Sequence, residues 1–345
     1  MAFWLDIAAF LLKALIIVAA FGGLAVLIAR LARSSEPKDQ EIKVRSLDER
    51  YDDMRDAMNG ELLDRKERKA LAKTRRKEAK AAAKARRGQE PGKRVYVLSF
   101  KGDMRASAVK RLGAEIDAVL IAARPATDEA VIRIESPGGT VTGYGLAAAE
   151  ILRLRERKIK VTASVDQVAA SGGYMMACAA DRIVAAPFAL VGSIGVVAPV
   201  PNLHRLLQKN EIDFEEITAG EFKRTVSVLG EITPAGREHF REKLDTTHEA
   251  FKAHVAQCRP NVDIARVANG DYWLAREGLA LGLVDELSTG DELLFRARDG
   301  ARLFEVSTEA RKTLLQQLLS GFGGAAQSVA DSVIARLAAL IAGLT

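Results

Sequence analysis

Short apolar runs alternate with amphipathic stretches through the middle of the chain. The apolar runs predict strands at 94–100, 130–134, 161–165, 182–185, 196–197 and 214–218. Apolar residues three and four positions apart predict helices at 106–122, 143–156, 171–179, 202–209 and 234–257. Strands that alternate with helices indicate an α/β fold with a largely parallel sheet, here over residues 94–300.

A longer apolar stretch precedes this region. Residues 7–29 contain one charged side chain, Lys13, and a membrane-spanning helix needs roughly 20 apolar residues. No small-residue cleavage motif leads cleanly out of the stretch, so we expect an uncleaved transmembrane signal anchor over 1–34. A cleaved signal peptide and a buried core helix are the alternatives. The positive charges that follow the stretch favour a cytoplasmic position for the main domain.

Residues 35–93 are highly charged and predict a helical stalk. Between Arg65 and Arg94, fourteen Lys or Arg stand against three Glu, a net +11 in a chain of net +6, so the remainder carries −5. Good helix formers without an apolar stripe predict a solvated helix. Contact with anionic lipid headgroups is the alternative, whereas the lack of aromatic residues disfavours nucleic-acid binding.

Residues 301–345 form a different kind of segment. Their last part repeats apolar residues at helical spacing, between Val329 and Leu344. We therefore predict an amphipathic tail, which docks on the domain or a neighbouring subunit, or lies on the membrane.

Cysteine and histidine usage predicts no metal site and no cofactor. The two cysteines, Cys178 and Cys258, are expected to be free thiols. His248 and His254 stand six positions apart, not at the four-residue spacing of a helical zinc site.

Candidate chemistry starts at a serine that opens a small-residue helix, in Ala-Ser-Gly-Gly-Tyr at 170–174. A helix start favours developing negative charge, so the hydroxyl of Ser171 is placed as a nucleophile and the N–H of Gly172 as an oxyanion donor. A Ser-Pro-Gly-Gly turn at 136–139 follows a predicted strand, and Gly138 or Gly139 could supply the second donor.

A serine nucleophile also needs a base. Lys223 lies 52 positions after Ser171, in Glu-Phe-Lys-Arg at 221–224. A lysine base must be neutral, which burial can bring about. Alone, these motifs read as a helix cap, a tight turn and a solvated surface charge. Together, in this order within an α/β pattern, they predict a serine hydrolase that does without histidine.

The motifs resemble the signal peptide peptidase A family (peptidase family S49) of serine–lysine peptidases, and most closely its SohB-type membrane branch. The resemblance covers 94–294 and is carried by 136–139, 170–174, 191–196, 220–223 and 277–285. It implies a crotonase-like or Clp-protease-like fold, Ser171 as nucleophile and Lys223 as general base. It further implies oxyanion donors at Gly139 and Gly172, and a lysine-orienting role for Ser193.

The resemblance also implies a setting. It describes a single-pass serine endopeptidase of the bacterial inner membrane, in contact with lipid, that hydrolyses unfolded or membrane-derived peptides. Bowl-shaped homo-oligomers would place the sites near subunit contacts, so Ser171 and Lys223 could come from neighbouring chains. Relatives are usually placed with the catalytic domain outside the cytoplasmic membrane, opposite to the side that the charges favour.

Three other functions compete with this one. A non-catalytic membrane scaffold could keep the fold. A Clp-type mechanism would use a histidine base, for which His204 is the nearest downstream candidate. Acyl-CoA chemistry shares the fold, but it has no use for a Ser-Gly-Gly helix start with a distant lysine.

Overall fold

The computed structural model describes residues 40–85 and 92–310, which have a mixed α/β fold, as the sequence pattern predicts. Residues Ile42–Ser307 form one compact unit. A second unit comprises Met1–Glu41 and Thr308–Thr345, and most of it, including the predicted anchor at 1–34 and the tail beyond 310, lies outside the described residues. In 40–85 and 92–310, no helix has the length and apolar character needed to cross a membrane.

The core is a seven-stranded sheet with the order β1-β10-β2-β3-β4-β6-β9. The pairings from β10 through to β9 are all parallel. A smaller sheet has the order β5-β7-β8. The strands are β1 (Gln40–Ser46), β2 (Arg94–Lys101), β3 (Glu129–Glu135), β4 (Lys160–Val165), β5 (Val168–Ala170), β6 (Arg182–Ala185), β7 (Leu190–Gly192), β8 (Tyr272–Leu274), β9 (Glu286–Leu287) and β10 (Arg302–Ala310).

The central strands of the large sheet are buried on both faces. Leu98, Ile132, Ala163 and Ile183 occupy one register row across β2, β3, β4 and β6, and all four are fully buried. Parallel strands covered on both sides have near-continuous apolar sequences, which is why these strands were predictable.

Helices cover the sheet and fill the connections. They are α1 (Leu47–Leu62), α2 (Arg65–Ala85), α3 (Val109–Ala122), α4 (Val141–Glu156), α5 (Gly172–Cys178), α6 (His204–Lys209), α7 (Pro234–Cys258), α8 (Ile264–Val267), α9 (Ala275–Ala280) and α10 (Gly290–Ala297). Helix α3 confirms the helix predicted at 106–122, and its apolar face is covered, because Leu112 and Ile116 are buried and Val109 and Leu120 pack against the core.

Two predicted strands are wrong. Residues 196–197 and 214–218 contain no strand. Val197 is 86% exposed and Ile217 is 88% exposed, so their apolar side chains pack on nothing within this unit. A strand needs a hydrogen-bonding neighbour as well as apolar residues, and neither segment has one.

Six strands of the described residues were not predicted by the pattern: β1, β5, β7, β8, β9 and β10. Of these, β1 and β10 lie at one side of the large sheet and mix polar with apolar residues. Helix α1 follows β1 and packs on the same part of the molecule. The rings of Tyr51 and Phe295 meet edge to face, and the carboxylate of Asp48 accepts the N–H of Leu303 at 3.1 Å.

The predicted stalk at 35–93 therefore has two parts with different surroundings. From Ile42 onward its described residues belong to the same compact unit as the sheet. Helix α2, by contrast, is largely exposed, and its Arg75 pairs with Asp56 of α1. The predicted tail region likewise begins with a sheet strand, β10, rather than with an amphipathic helix.

Candidate active site

Ser171 stands between β5 and α5 in a strained backbone conformation. Its φ is 52° and its ψ is −120°, a region that residues with a side chain rarely occupy. Two backbone hydrogen bonds hold it there: its N–H donates to Gly192 at 2.8 Å, and its carbonyl accepts from Met175 at 2.9 Å. Its side chain is half-buried and faces a cleft.

The Ser-Pro-Gly-Gly turn lies directly against Ser171. Gly138 has a φ of 97°, and a β-carbon built on it would lie 2.7 Å from that of Ser171. The N–H of Gly138 donates to Ser136 Oγ at 3.1 Å. Within the described part of the chain, the N–H groups of Gly139 and Gly172 have no hydrogen-bond partner, and both residues line the cleft. Gly139 and Gly172 can therefore each donate a backbone N–H to a molecule bound in the cleft.

A buried hydroxyl relay fixes this turn, and the sequence pattern missed it. Ser136 Oγ accepts the N–H of Gly138 and lies 2.5 Å from the Tyr144 hydroxyl, which donates to the Asp103 carbonyl at 2.9 Å. Burial is the main cause that raises the pKa of Tyr144. The phenol stays neutral near pH 7 and keeps the proton that it donates. Gly-Tyr-Gly at 143–145 inside a predicted helix was the available signal.

Tyr144→Phe is expected to lower the free energy of unfolding by about 1–3 kcal/mol, because it leaves the fully buried Ser136 hydroxyl without an acceptor for its proton and removes the donor to the Asp103 carbonyl. Chemical denaturation measures the change. Tyr272→Phe is the matched control, since Tyr272 is 60% exposed and should lose almost nothing. Equal stability of the two variants would contradict a structural role for the relay.

Gly138→Ala is expected to lower the free energy of unfolding by at least about 1–2 kcal/mol, the cost of a side chain at positive φ, with the clash against Ser171 added. Gly145→Ala is the control. Gly145 lies within α4, and a β-carbon there meets no atom within 4 Å, so the change should stabilise by about 0.5–1 kcal/mol. Thermal unfolding measures both, and a neutral Gly138→Ala would refute the close packing of the turn on Ser171.

The cleft beside Ser171 is narrow and mostly apolar. Its free volume is about 20 Å³, room for roughly one water molecule. Side chains from α4, α5 and α7 surround it, together with the loop after β7. The lining residues are Gly139, Val141, Ser171, Gly172, Met175, Gly195, Val196, Thr247 and Phe251. Nothing in the sequence marked Thr247 and Phe251, because they reach the site only through the packing of α7.

Ser193 directly follows Gly192, whose carbonyl accepts the N–H of Ser171. It too has a positive φ, 53°, and its N–H donates to the Asp271 carbonyl at 2.7 Å. Its hydroxyl lies 3.4 Å from the Gly270 carbonyl, a long hydrogen bond. The side chain is only half-buried, so it could exchange this partner for another.

Lys223 lies apart from the cleft within a single chain. It belongs to a stretch without helix or strand, its side chain is exposed, and its N–H donates to the Gly220 carbonyl at 3.1 Å. The Lys223 amine contacts no partner in the residues that the structure describes, and Lys223 is not among the cleft residues. One chain thus brings Ser171, Gly139 and Gly172 together, with Ser193 nearby, and leaves Lys223 outside.

The segment around Lys223 exposes many large apolar side chains. It runs over 197–228, and we call it the exposed segment. Its exposed apolar residues are Val197, Val200, Leu203, Leu206, Ile212, Phe214, Ile217, Phe222 and Val228. Large exposed apolar surfaces on a soluble domain usually mark a contact with another molecule.

Two sulfurs and an imidazole form a separate cluster. Cys178, His254 and Cys258 have donor atoms that all lie within 4.8 Å of one another. His254 and Cys258 stand four positions apart in the sequence, a helical spacing that a comparison of histidines alone does not reveal. The position of Cys178 beside them depends on the packing of α7 on α5 and has no signal in the sequence.

Two family models together match almost the whole of the described unit. The model for "Peptidase family S49 N-terminal" matches residues 2–151, and the model for "Peptidase family S49" matches residues 153–303. The first match includes Gly139, and the second includes Ser171, Ser193 and Lys223.

Individual proteins are also similar to this chain. "Probable protease SohB" of Haemophilus influenzae is 49% identical over 242 residues, which are 70% of this chain and 67% of that protein. "Putative protease SohB" of Buchnera aphidicola subsp. Baizongia pistaciae is 35% identical over 92% of this chain and 94% of that protein. Among solved structures, a mutant of the 1510-N membrane-bound stomatin-specific protease with a substrate peptide covers 66% of this chain and 99% of its own, at 15% identity and a TM-score of 0.42.

Proposed function

Because the chain belongs to peptidase family S49, we propose that it is a serine endopeptidase that hydrolyses peptide bonds through an acyl-enzyme on Ser171. Family membership and the protease names of its relatives support a peptidase in general. The observation that carries the specific proposal is the position of Ser171. It stands at a strained helix start, against a glycine turn, in a cleft lined by Gly139 and Gly172, whose N–H groups have no partner among the described residues.

In the proposed reaction, Ser171 Oγ attacks the scissile carbonyl while a base takes its proton. The N–H groups of Gly139 and Gly172 donate to the oxyanion that forms. Both are backbone donors, and the relay through Ser136 and Tyr144 holds the turn that presents Gly139. Donors that are already oriented need no reorganisation in the transition state, and one such donor contributes roughly 10²–10³ in kcat.

From the family motifs, we assign Lys223 as the general base and Ser193 as the residue that orients the Lys223 amine. An exposed ammonium is a poor base, so the proposal requires the Lys223 amine to leave water. The exposed apolar side chains on both sides of Lys223 support this, because an assembled homo-oligomer would cover them. The cooperating Ser171 and Lys223 then belong either to one chain or to neighbours.

The wider proposal is a membrane-anchored enzyme with a crotonase-like or Clp-protease-like fold. Residues 1–34 would form a single-pass anchor in the bacterial inner membrane, and the basic helix α2 would contact anionic lipid. A narrow apolar cleft suits an extended chain rather than a folded protein, which supports unfolded or membrane-derived peptides as substrates. The reaction needs no cofactor, and either membrane side is compatible with these features.

Covalent labelling with a fluorophosphonate tests this proposal. The detergent-solubilised full chain should gain one adduct, and peptide mapping should place it on Ser171. Ser99→Ala, which removes an exposed serine on β2, is the labelling control and should behave like the unmodified chain. An adduct on another serine would overturn the nucleophile. No adduct on a correctly assembled chain would favour a non-catalytic scaffold.

A further inference from the structure

A second potential site lies on the far end of the helix that Ser171 opens. Cys178 ends α5, and His254 and Cys258 lie one turn apart at the end of α7. Cys178 is fully buried, and the other two residues are half-buried. We propose that Cys178, His254 and Cys258 bind a thiophilic metal ion, with Zn²⁺ as the best fit, through three protein ligands and one open position.

The distances suit such an ion. Cys258 Sγ lies 4.0 Å from both ring nitrogens of His254, and the donor atoms of all three residues lie within 4.8 Å of one another. In tetrahedral Zn²⁺ sites with Zn–S of about 2.3 Å and Zn–N of about 2.0 Å, neighbouring donors are about 3.5 Å apart. Small rotations of the side chains would therefore bring all three donors to bonding distance.

The surroundings orient the ligands as known sites do. The Nε2–H of His254 donates to the Met175 carbonyl at 2.9 Å, which leaves Nδ1 as the free lone pair. A metal-binding histidine typically gives its second N–H to such an acceptor. Thiolates are the ligands that thiophilic ions select.

Charge and access also fit. Both cysteines would bind as thiolates and neutralise a divalent ion, and uptake would release the proton that Cys178 donates to the Met175 carbonyl at 3.3 Å. The nearby guanidinium groups are already paired, Arg155 with Asp181 and Arg259 with Asp285. Cys258 lines an open pocket of about 380 Å³ with Leu152, Arg155, Glu156, Asp181 and Gln257. The pocket offers an entry path and room for a water in the fourth position. The proposed function of Ser171 does not use this pocket.

Metal uptake by the full chain tests the site. The protein is reduced, stripped with a chelator, desalted and titrated with Co²⁺ and then Zn²⁺. We expect one equivalent of Co²⁺ with a thiolate charge-transfer band and intense visible bands of a tetrahedral ion, both displaced by Zn²⁺. Cys258→Ala and His254→Gln should lower Zn²⁺ affinity by more than the ~10–100-fold that outer-shell partners contribute.

His254→Gln keeps a donor for the Met175 carbonyl, so its loss of affinity would report ligation and not misfolding. His239→Ala, on the same helix but outside the cluster, is the control and should bind like the unmodified chain. If the unmodified chain binds no more metal than Cys258→Ala does, the proposal is overturned. Full binding by His254→Gln would also overturn it, as would a Cys178–Cys258 disulfide that survives treatment with the reductant.

Discussion

Ser171→Ala is expected to reduce kcat/KM for an unfolded protein substrate by at least about 10³-fold, to the background that binding and the oxyanion donors alone provide. The reason is chemical, because Ser171 supplies the hydroxyl at the junction of β5 and α5, between Gly172 and the glycine turn. Release of fluorescent peptides from labelled casein, with the detergent-solubilised chain, measures the change.

The melting temperature should hardly move in Ser171→Ala. The side chain is half-buried, and the hydrogen bonds that hold this position are backbone bonds, which alanine keeps. Ser99→Ala is the matched control for loss of a serine hydroxyl and should retain full activity. Turnover in Ser171→Ala above the substrate-only rate would move the nucleophile elsewhere, and inactivity caused by unfolding would be visible in the melt.

Lys223→Ala is expected to have the second large effect, a loss of about 10²–10⁴-fold in kcat, the usual contribution of a general base. Lys209→Ala removes another exposed lysine from the same exposed segment, and we expect it to be neutral. Steady-state kinetics on a peptide substrate measure both. If Lys223→Ala keeps full turnover, another base must exist, and His204→Ala is then the variant to measure.

A mixing experiment locates the pair of Ser171 and Lys223. If the two residues that cooperate belong to neighbouring chains, inactive Ser171→Ala and inactive Lys223→Ala should regain activity when dissociated and reassembled together. If they belong to one chain, the mixture stays inactive. Either result decides whether Ser171 and Lys223 act within one chain or across two. A single chain leaves this open, because its Lys223 is exposed and lies outside the cleft.

Four strands of the large sheet and the helix start at Ser171 followed from local signals. Strands such as β3 and β4 are apolar throughout because both faces are buried, and a helix start at Ser171 follows from the glycines after it. Strand β1 did not follow, because its charged residues suit a helix as well as a sheet edge. Its place beside β10 depends on a contact between residues more than 250 positions apart, such as that of Asp48 with Leu303.

The missed site residues share one physical cause. Thr247 and Phe251 reach the cleft, and His254 reaches Cys178, only because α7 packs on α5. No residue near Phe251 in the sequence predicts which helix it will touch. Motifs identify chemistry that sits on adjacent residues, whereas the walls of a cleft depend on how distant helices pack.

The backbone at Ser171 has a consequence for the evolution of this protein. Alanine normally stabilises a chain by about 0.5–1 kcal/mol relative to glycine, but at a φ of 52° the order should reverse. We expect Ser171→Gly to melt above Ser171→Ala. The position thus has one optimum for folding, glycine, and another for the proposed chemistry, serine. A lineage released from selection for catalysis would be expected to drift toward glycine at this position. The amino acid found here should therefore distinguish active homologues from those that have lost activity.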